Sequence, residues 1–134
     1  MLVNLMSLAA VAFGGALGAL GRYGVAQWMA SVNLASFRPF DTLAATALVN
    51  VFGSFAMGFA YILIVECWQS PSHWRELWMV GLLGALTTFS TFALEVVHLW
   101  QHGQLGLAAL YAVFSVLACT LGLAFGMQLA KLFV

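Results

Sequence analysis

Charge is nearly missing from this sequence. Of 134 residues only 6% are Asp, Glu, Lys or Arg, against 64% hydrophobic, whereas an average soluble domain carries about 25% charged residues. The bases are Arg22, Arg38, Arg75 and Lys131; the acids are Asp41, Glu66, Glu76 and Glu95. Such a set is too small to solvate a globule, so a compact water-soluble domain is excluded. A disordered chain is excluded as well, because disorder requires low hydrophobicity. With a formal net charge of zero and no basic cluster, the electrostatic footprint of nucleic-acid binding is absent. No Ser/His/Asp set, phosphate loop or paired carboxylates point to an enzyme. Cys67 and Cys119 have neither a disulfide framework nor a metal-ligand spacing, and read as packing residues. What fits this composition is an integral membrane protein.

The uncharged runs count the spans. A helix crossing the roughly 30 Å hydrocarbon layer needs about 20 mostly apolar residues. Four runs meet that length and predict transmembrane helices at about 4–29, 42–66, 76–100 and 105–131. Pro39 and Pro71 fall in the connectors, where a helix-breaking ring does least harm. No linker or low-complexity segment divides residues 1–134, so one four-helix transmembrane domain is expected. The first run lacks the basic n-region of a signal peptide and is longer than the usual apolar stretch of about 7–15 residues. A retained helix is expected, with Gly14 and Gly18 at the small-xxx-small spacing that brings helices together in lipid.

Topology follows from the few bases. Four spans put the N-terminus, Arg75 and Lys131 on one side, with Arg38 opposite and Arg22 near that opposite end of the first helix. Two bases against one or two set no orientation. Either other factors fix it, or the chain inserts both ways and pairs as an antiparallel homodimer.

Polar residues within the spans carry the functional signal, because each is costly in hydrocarbon unless it faces protein, water or a ligand. The third run contains Thr87, Thr88, Ser90 and Thr91, whose hydroxyls encircle a helix at about 100° per residue. Either each hydroxyl bonds back to a carbonyl one turn earlier, or the helix breaks locally near Gly84 and the hydroxyls satisfy freed backbone groups. Thr46 and Asn50 share one face of the second span. Tyr111, Ser115 and Cys119 form a stripe on the fourth, with Gly122 and Gly126 as close-packing positions beyond. Glu95 is the one acid well inside a span. The residues alone leave Asn50 as either interhelical glue or a donor, and Phe89 and Phe92 as either packing or pathway residues. Arg22 either draws anions into a vestibule or snorkels to the headgroups. His73, His98 and His102 lie near water with no ligand spacing.

Three segments in order are specific. Gly15-Ala16-Leu17-Gly18-Ala19-Leu20-Gly21-Arg22-Tyr23, then Thr46-xxx-Asn50-xx-Gly53-Ser54-Phe55, then Gly84-Ala85-Leu86-Thr87-Thr88-Phe89-Ser90-Thr91-Phe92-xx-Glu95 resemble the successive motifs of the Fluc (CrcB) fluoride channels. The resemblance spans nearly the whole chain and is least distinctive in the fourth helix. It implies an all-α protein of the bacterial inner membrane, an antiparallel dual-topology dimer with two pores and a third helix broken near its middle. It also implies a structural Na⁺ at the dimer centre, held by backbone carbonyls that map to Gly84 and Thr87. Oxygen ligands suit such a hard cation. Where this chain has Ala85, relatives often carry a second glycine, and a methyl there stiffens the break slightly.

By the same resemblance Phe89 and Phe92 face the anion and Asn50 donates to it. A phenyl ring has a positive edge, and an asparagine amide offers two N–H donors, so both stand in for fluoride's hydration without a fixed charge. Ser90, Thr91, Tyr111 and Ser115 extend the track, and the Cys119 thiol stands where a hydroxyl would continue it. The implied role is passive export: HF enters uncharged, dissociates inside and leaves as the anion. The rival class is a proton-coupled small multidrug transporter, also a four-helix dual-topology dimer. It requires a membrane-midplane carboxylate, which spans one, two and four do not offer.

Overall fold

The computed structural model describes residues 4–32, 39–69 and 71–134. Helix α1 (Leu5–Val32) is capped by Asn4, whose Oδ1 accepts from the Met6 N–H at 3.0 Å. Helix α2 (Pro39–Ala60) begins on proline, whose missing N–H costs nothing in a first turn. It continues into the wider, i→i+5 wound segment Tyr61–Cys67, ended by Trp68 N donating to Leu63 O at 2.9 Å. Helix α3 is built of three consecutive segments, Ser72–Arg75, the wide-wound Glu76–Leu83 and the single turn Gly84–Leu86. Helix α4 (Phe89–Gln101) follows two extended residues, and α5 (Leu105–Lys131) follows a turn. That turn places Gly103 at φ +75°, in the left-handed region that glycine enters freely.

Among the described residues four helical stretches are long and apolar enough to cross a membrane: Leu5–Val32, Asp41–Cys67, Ser72–Gln101 and Leu105–Phe133. They coincide with the four predicted runs. The largest difference is at the third, which starts at Ser72 instead of 76 because the charged Ser72–Arg75 segment itself turns helical after Pro71. Arg38, expected on the side opposite Arg75, lies outside the described residues.

Lipid tails are as apolar as leucine, so helices in a membrane associate through close packing rather than hydrophobic exclusion. Glycine supplies that closeness here. Gly14 and Gly18 seat α1 directly on the α3 backbone at Leu77 and Leu82, and Gly81 of α3 answers against α1, 3.0 Å from the Gly14 Cα if it carried a Cβ. The α2–α5 pair is made the same way: Gly58 lies against the Leu123 carbonyl, and Gly126 against that of Phe55. The Gly14/Gly18 and Gly122/Gly126 spacings thus mark real approaches between helices. Helix α4 is held differently, through side chains: Phe92 and Leu99 pack with Leu43 of α2 and with Ala108 and Tyr111 of α5.

Candidate functional site

The α3–α4 junction organises the site. Thr87 has φ −80°, ψ 155° and Thr88 has φ −150°, ψ 121°, both extended, between helical Leu86 and Phe89. Gly84, the residue expected to permit an interruption, itself has helical dihedrals (φ −64°, ψ −34°). The extended pair lies three residues later because side chains there replace the helical bonds. In a continuous helix the Thr88 N–H would donate to Gly84 O, and the Thr91 N–H to Thr87 O. Instead Thr88 N donates to Asn50 Oδ1 at 2.7 Å, and Thr91 N donates to Thr88 Oγ1 at 3.2 Å. Thr88 therefore acts as the N-cap of α4, an interaction type worth about 1 kcal/mol.

Asn50 is bound on both ends of its amide. Besides accepting from Thr88 N, its Nδ2 donates to Thr88 O at 2.9 Å. The side chain thus pairs with one residue's backbone as a strand neighbour would, and one of its two N–H groups is left for another partner. Of the two alternatives read from the sequence, the interhelical one is directly visible: Asn50 fastens α2 to the junction. The hydroxyl run is likewise mixed. Thr87 Oγ1 donates back to Leu83 O at 3.0 Å, whereas the Thr88 hydroxyl lies 3.2 Å from Ser90 Oγ and donates to Thr91 Oγ1 at 3.1 Å.

A cavity of about 340 Å³ opens beside this junction. Its wall includes Asn50, Thr88, Phe89, Phe92, Ser115 and Cys119. The Phe89 and Phe92 rings are tilted at 52° with centroids 5.4 Å apart, and Phe92 is tilted at 51° to Tyr111, also at 5.4 Å. Phe92 is 8% exposed but Phe89 is 76% exposed, so the pair reaches from the protein interior to the outside of the chain. Ser115 is buried on this wall, one turn beyond Tyr111 on α5.

Not every predicted track residue lines that cavity. Arg22, half-buried, and Thr91 line a second one of about 320 Å³ together with Tyr23 and Thr46, and Thr88 forms the wall common to both. Ser90 is exposed. Tyr111 turns away: its hydroxyl donates to Glu95 Oε2 at 2.7 Å. Glu95 Oε1 accepts from Thr46 Oγ1 at 2.8 Å, so one carboxyl joins α2, α4 and α5. Sequence reasoning gave Glu95 no role. The signal available was the general cost of an acid within a span, which demands partners; nothing along the chain says that these are Thr46 and Tyr111. Ser54, quoted from the sequence only as part of a motif, and Met57, not singled out there, also stand on the cavity wall from α2.

Backbone carbonyls at the junction suit a hard cation. Gly84 and Thr87, the residues the resemblance assigns as Na⁺ ligands, lie in the last turn before the break, where the Thr88 and Thr91 N–H groups donate to side chains instead of to helical carbonyls. Among the described residues no three His, Cys, Asp or Glu side chains come together to hold a metal.

Four apolar spans around cavities that carry a few hydroxyl and amide groups on otherwise apolar walls define a multi-pass integral membrane protein. The chain belongs to the CrcB family: the model described as "CrcB-like protein, Camphor Resistance (CrcB)" matches residues 9–127. It is 45% identical over 122 residues to the fluoride-specific ion channel FluC of Hahella chejuensis, covering 91% of this chain and 92% of that one. The corresponding channel of Saccharophagus degradans is 48% identical over 108 residues, 80% of this chain and 76% of the relative. That of Magnetococcus marinus is 40% identical over 127 residues, 95% and 99% of the two chains.

Proposed function

We propose that this chain is a fluoride-selective channel of the bacterial membrane, passing F⁻ passively down its electrochemical gradient and so relieving cytoplasmic fluoride. The observation that carries this reading is the meeting of Asn50, Phe89, Phe92 and Ser115 on one cavity, in a chain whose near full-length relatives are named fluoride-specific ion channels. Fluoride is small and strongly hydrated. The second Asn50 N–H, the Ser115 hydroxyl and the rims of two rings replace part of that hydration without a full positive charge. Several moderate sites, rather than one strong one, let an ion leave as well as enter. Thr88 stands on the wall of both cavities, and in this reading the path continues from it toward Thr91 and Arg22. Arg22 then supplies the field that gathers anions at the mouth.

A second copy completes the path. Gly84, Phe89, Ser90 and Thr91 are exposed on one chain, in the middle of a span. Hydroxyls and helix-end carbonyls at that depth need a partner other than lipid. The reading is an antiparallel homodimer with two pores, its third span interrupted at Thr87–Thr88. The carbonyls of Gly84 and Thr87 from both copies hold a structural Na⁺, which ties the inverted chains together and need not cross. The multidrug-transporter alternative is disfavoured, since it needs an acid free to exchange protons for a drug, and both Glu95 oxygens already accept hydrogen bonds.

The test is fluoride efflux, read with a fluoride electrode, from liposomes holding the purified chain alone. Efflux that needs protein and far exceeds chloride efflux supports the channel; cationic dye movement without fluoride efflux refutes it.

A further inference from the structure

The turn between the second and third spans carries a polar cavity of about 240 Å³, walled by Ile64, Val65, Gln69, Ser72 and Arg75. Among the described residues on that wall Arg75 alone is charged, and none is a carboxylate. Ile64 is also on the wall of an apolar groove of about 710 Å³ between α2 and α3. Trp68, Trp74 and Trp78 line the end of this groove beside the turn, and Phe52, Leu83 and Leu86 line the other end. Tryptophan collects at the level of the lipid headgroups, and Trp68 and Trp74 stand where the spans Asp41–Cys67 and Ser72–Gln101 adjoin. From Trp74 to Leu86 the helix climbs on the order of 15 Å, about half of the roughly 30 Å hydrocarbon layer. The groove therefore runs from headgroup level to the middle of the bilayer, the depth of one acyl tail. Gly84, Phe89, Ser90 and Thr91, the exposed residues assigned above to a second copy, do not line it.

We infer that the polar cavity and the apolar groove together form a binding site for an anionic phospholipid. The lipid phosphate pairs with the Arg75 guanidinium, whose fork of N–H donors matches phosphate oxygens. The Gln69 amide and the Ser72 hydroxyl offer further donors, and one acyl tail lies along the groove against the tryptophans. The same wall selects the charge of the headgroup. A zwitterionic phosphatidylethanolamine brings an ammonium that needs an acceptor, and the cavity has no carboxylate to give it. Phosphatidylglycerol carries hydroxyls at that place and keeps its net negative charge for Arg75. The inference stands apart from the channel reading, because Arg75 and the three tryptophans line neither of the cavities on the proposed anion path.

The double variant W28F/W100F leaves Trp68, Trp74 and Trp78 as the fluorescent tryptophans. It is reconstituted in phosphatidylcholine vesicles with rising fractions of phosphatidylglycerol or phosphatidylethanolamine carrying brominated tails, and quenching is read. Half-maximal quenching is expected at about a fivefold lower mole fraction of the brominated phosphatidylglycerol, the factor that one basic residue supplies near an anionic surface. Adding Arg75→Gln is expected to make the two lipids equal, and Arg75→Lys, which keeps the charge without the fork, to fall between. Equal quenching by both lipids in the protein that keeps Arg75 means nonselective lipid contact and overturns the inference, with no variant of that residue needed. Quenching by neither lipid, the outcome if a second copy covers the groove, overturns it as well. A preference for phosphatidylglycerol that survives Arg75→Gln overturns the assignment of the phosphate to Arg75.

Discussion

At the residue scale, Asn50 and the two phenylalanines have separable jobs. Asn50 pairs with both backbone groups of Thr88, and leaving a buried donor or acceptor unsatisfied costs about 1–3 kcal/mol. Asn50→Ala is therefore expected to lower the melting temperature in detergent as well as stop efflux. Asn50→Asp keeps an acceptor for Thr88 N but sets a carboxylate against Thr88 O and the anion; it is expected to melt between the wild type and Asn50→Ala and to pass no fluoride. An Asn50→Ala protein as stable as wild type would remove the bracing role. The rings differ. Phe89→Ile and Phe92→Ile each keep apolar bulk while losing the positive ring edge. Each is expected to reduce fluoride efflux to background while the protein elutes from a sizing column at the wild-type position. Undiminished efflux in both variants eliminates the ring-edge mechanism.

At the scale of elements, two kinds of contact hold the spans together, and each has its own test. Gly126 of α5 faces the Phe55 carbonyl so closely that a Cβ meets backbone, which cannot swing aside. Gly126→Leu is expected to part α2 from α5 and yield aggregated protein on a sizing column. Gly15, also within α1, has nothing within 4 Å of an added Cβ, so Gly15→Ala is expected to stay within about 0.5 kcal/mol of wild type. Similar behaviour of the two would show that glycine proximity does not hold the pair. The other contact is the Glu95 carboxyl joining Thr46 of α2 to Tyr111 of α5. A double-mutant cycle of Thr46→Val with Tyr111→Phe, read by unfolding in detergent, measures whether the bonds act together. Interhelical hydrogen bonds in membranes average about 0.6 kcal/mol, so each single variant is expected to cost about that much, and Glu95→Gln at least as much, because its amide keeps one acceptor oxygen for two hydroxyl donors.

For the whole molecule the decisive variable is the proposed second copy. With the carbonyls of Gly84 and Thr87 in the last turn before the break, a shared Na⁺ is expected to hold two chains together. Replacing sodium by N-methyl-D-glucamine during purification is accordingly expected to shift the dimer toward monomer on a sizing column and to diminish efflux. Readdition of sodium restores both. A dimer indifferent to sodium excludes the bridging ion. Cross-linking between copies inserted in opposite directions, absent between parallel ones, is the companion expectation for inverted pairing.

Span number and placement were legible from the chain because they depend on a one-dimensional quantity, the length of uncharged apolar sequence against the thickness of hydrocarbon. Small-residue spacing at Gly14/Gly18 and Gly122/Gly126 was legible for a similar reason, since helix period alone puts those residues on one face. The ordered motifs also marked Asn50, Phe89 and Phe92 as a set. Only tertiary structure decided that Asn50 spends its amide on Thr88, that the extended residues are Thr87 and Thr88 rather than Gly84, and that Tyr111 turns to Glu95 while Cys119 stays on the cavity. Each of these is a choice of partner between spans far apart in the chain. Hydrogen-bond satisfaction inside a low-dielectric interior makes that choice, and the periodicity of a single helix holds no information about it.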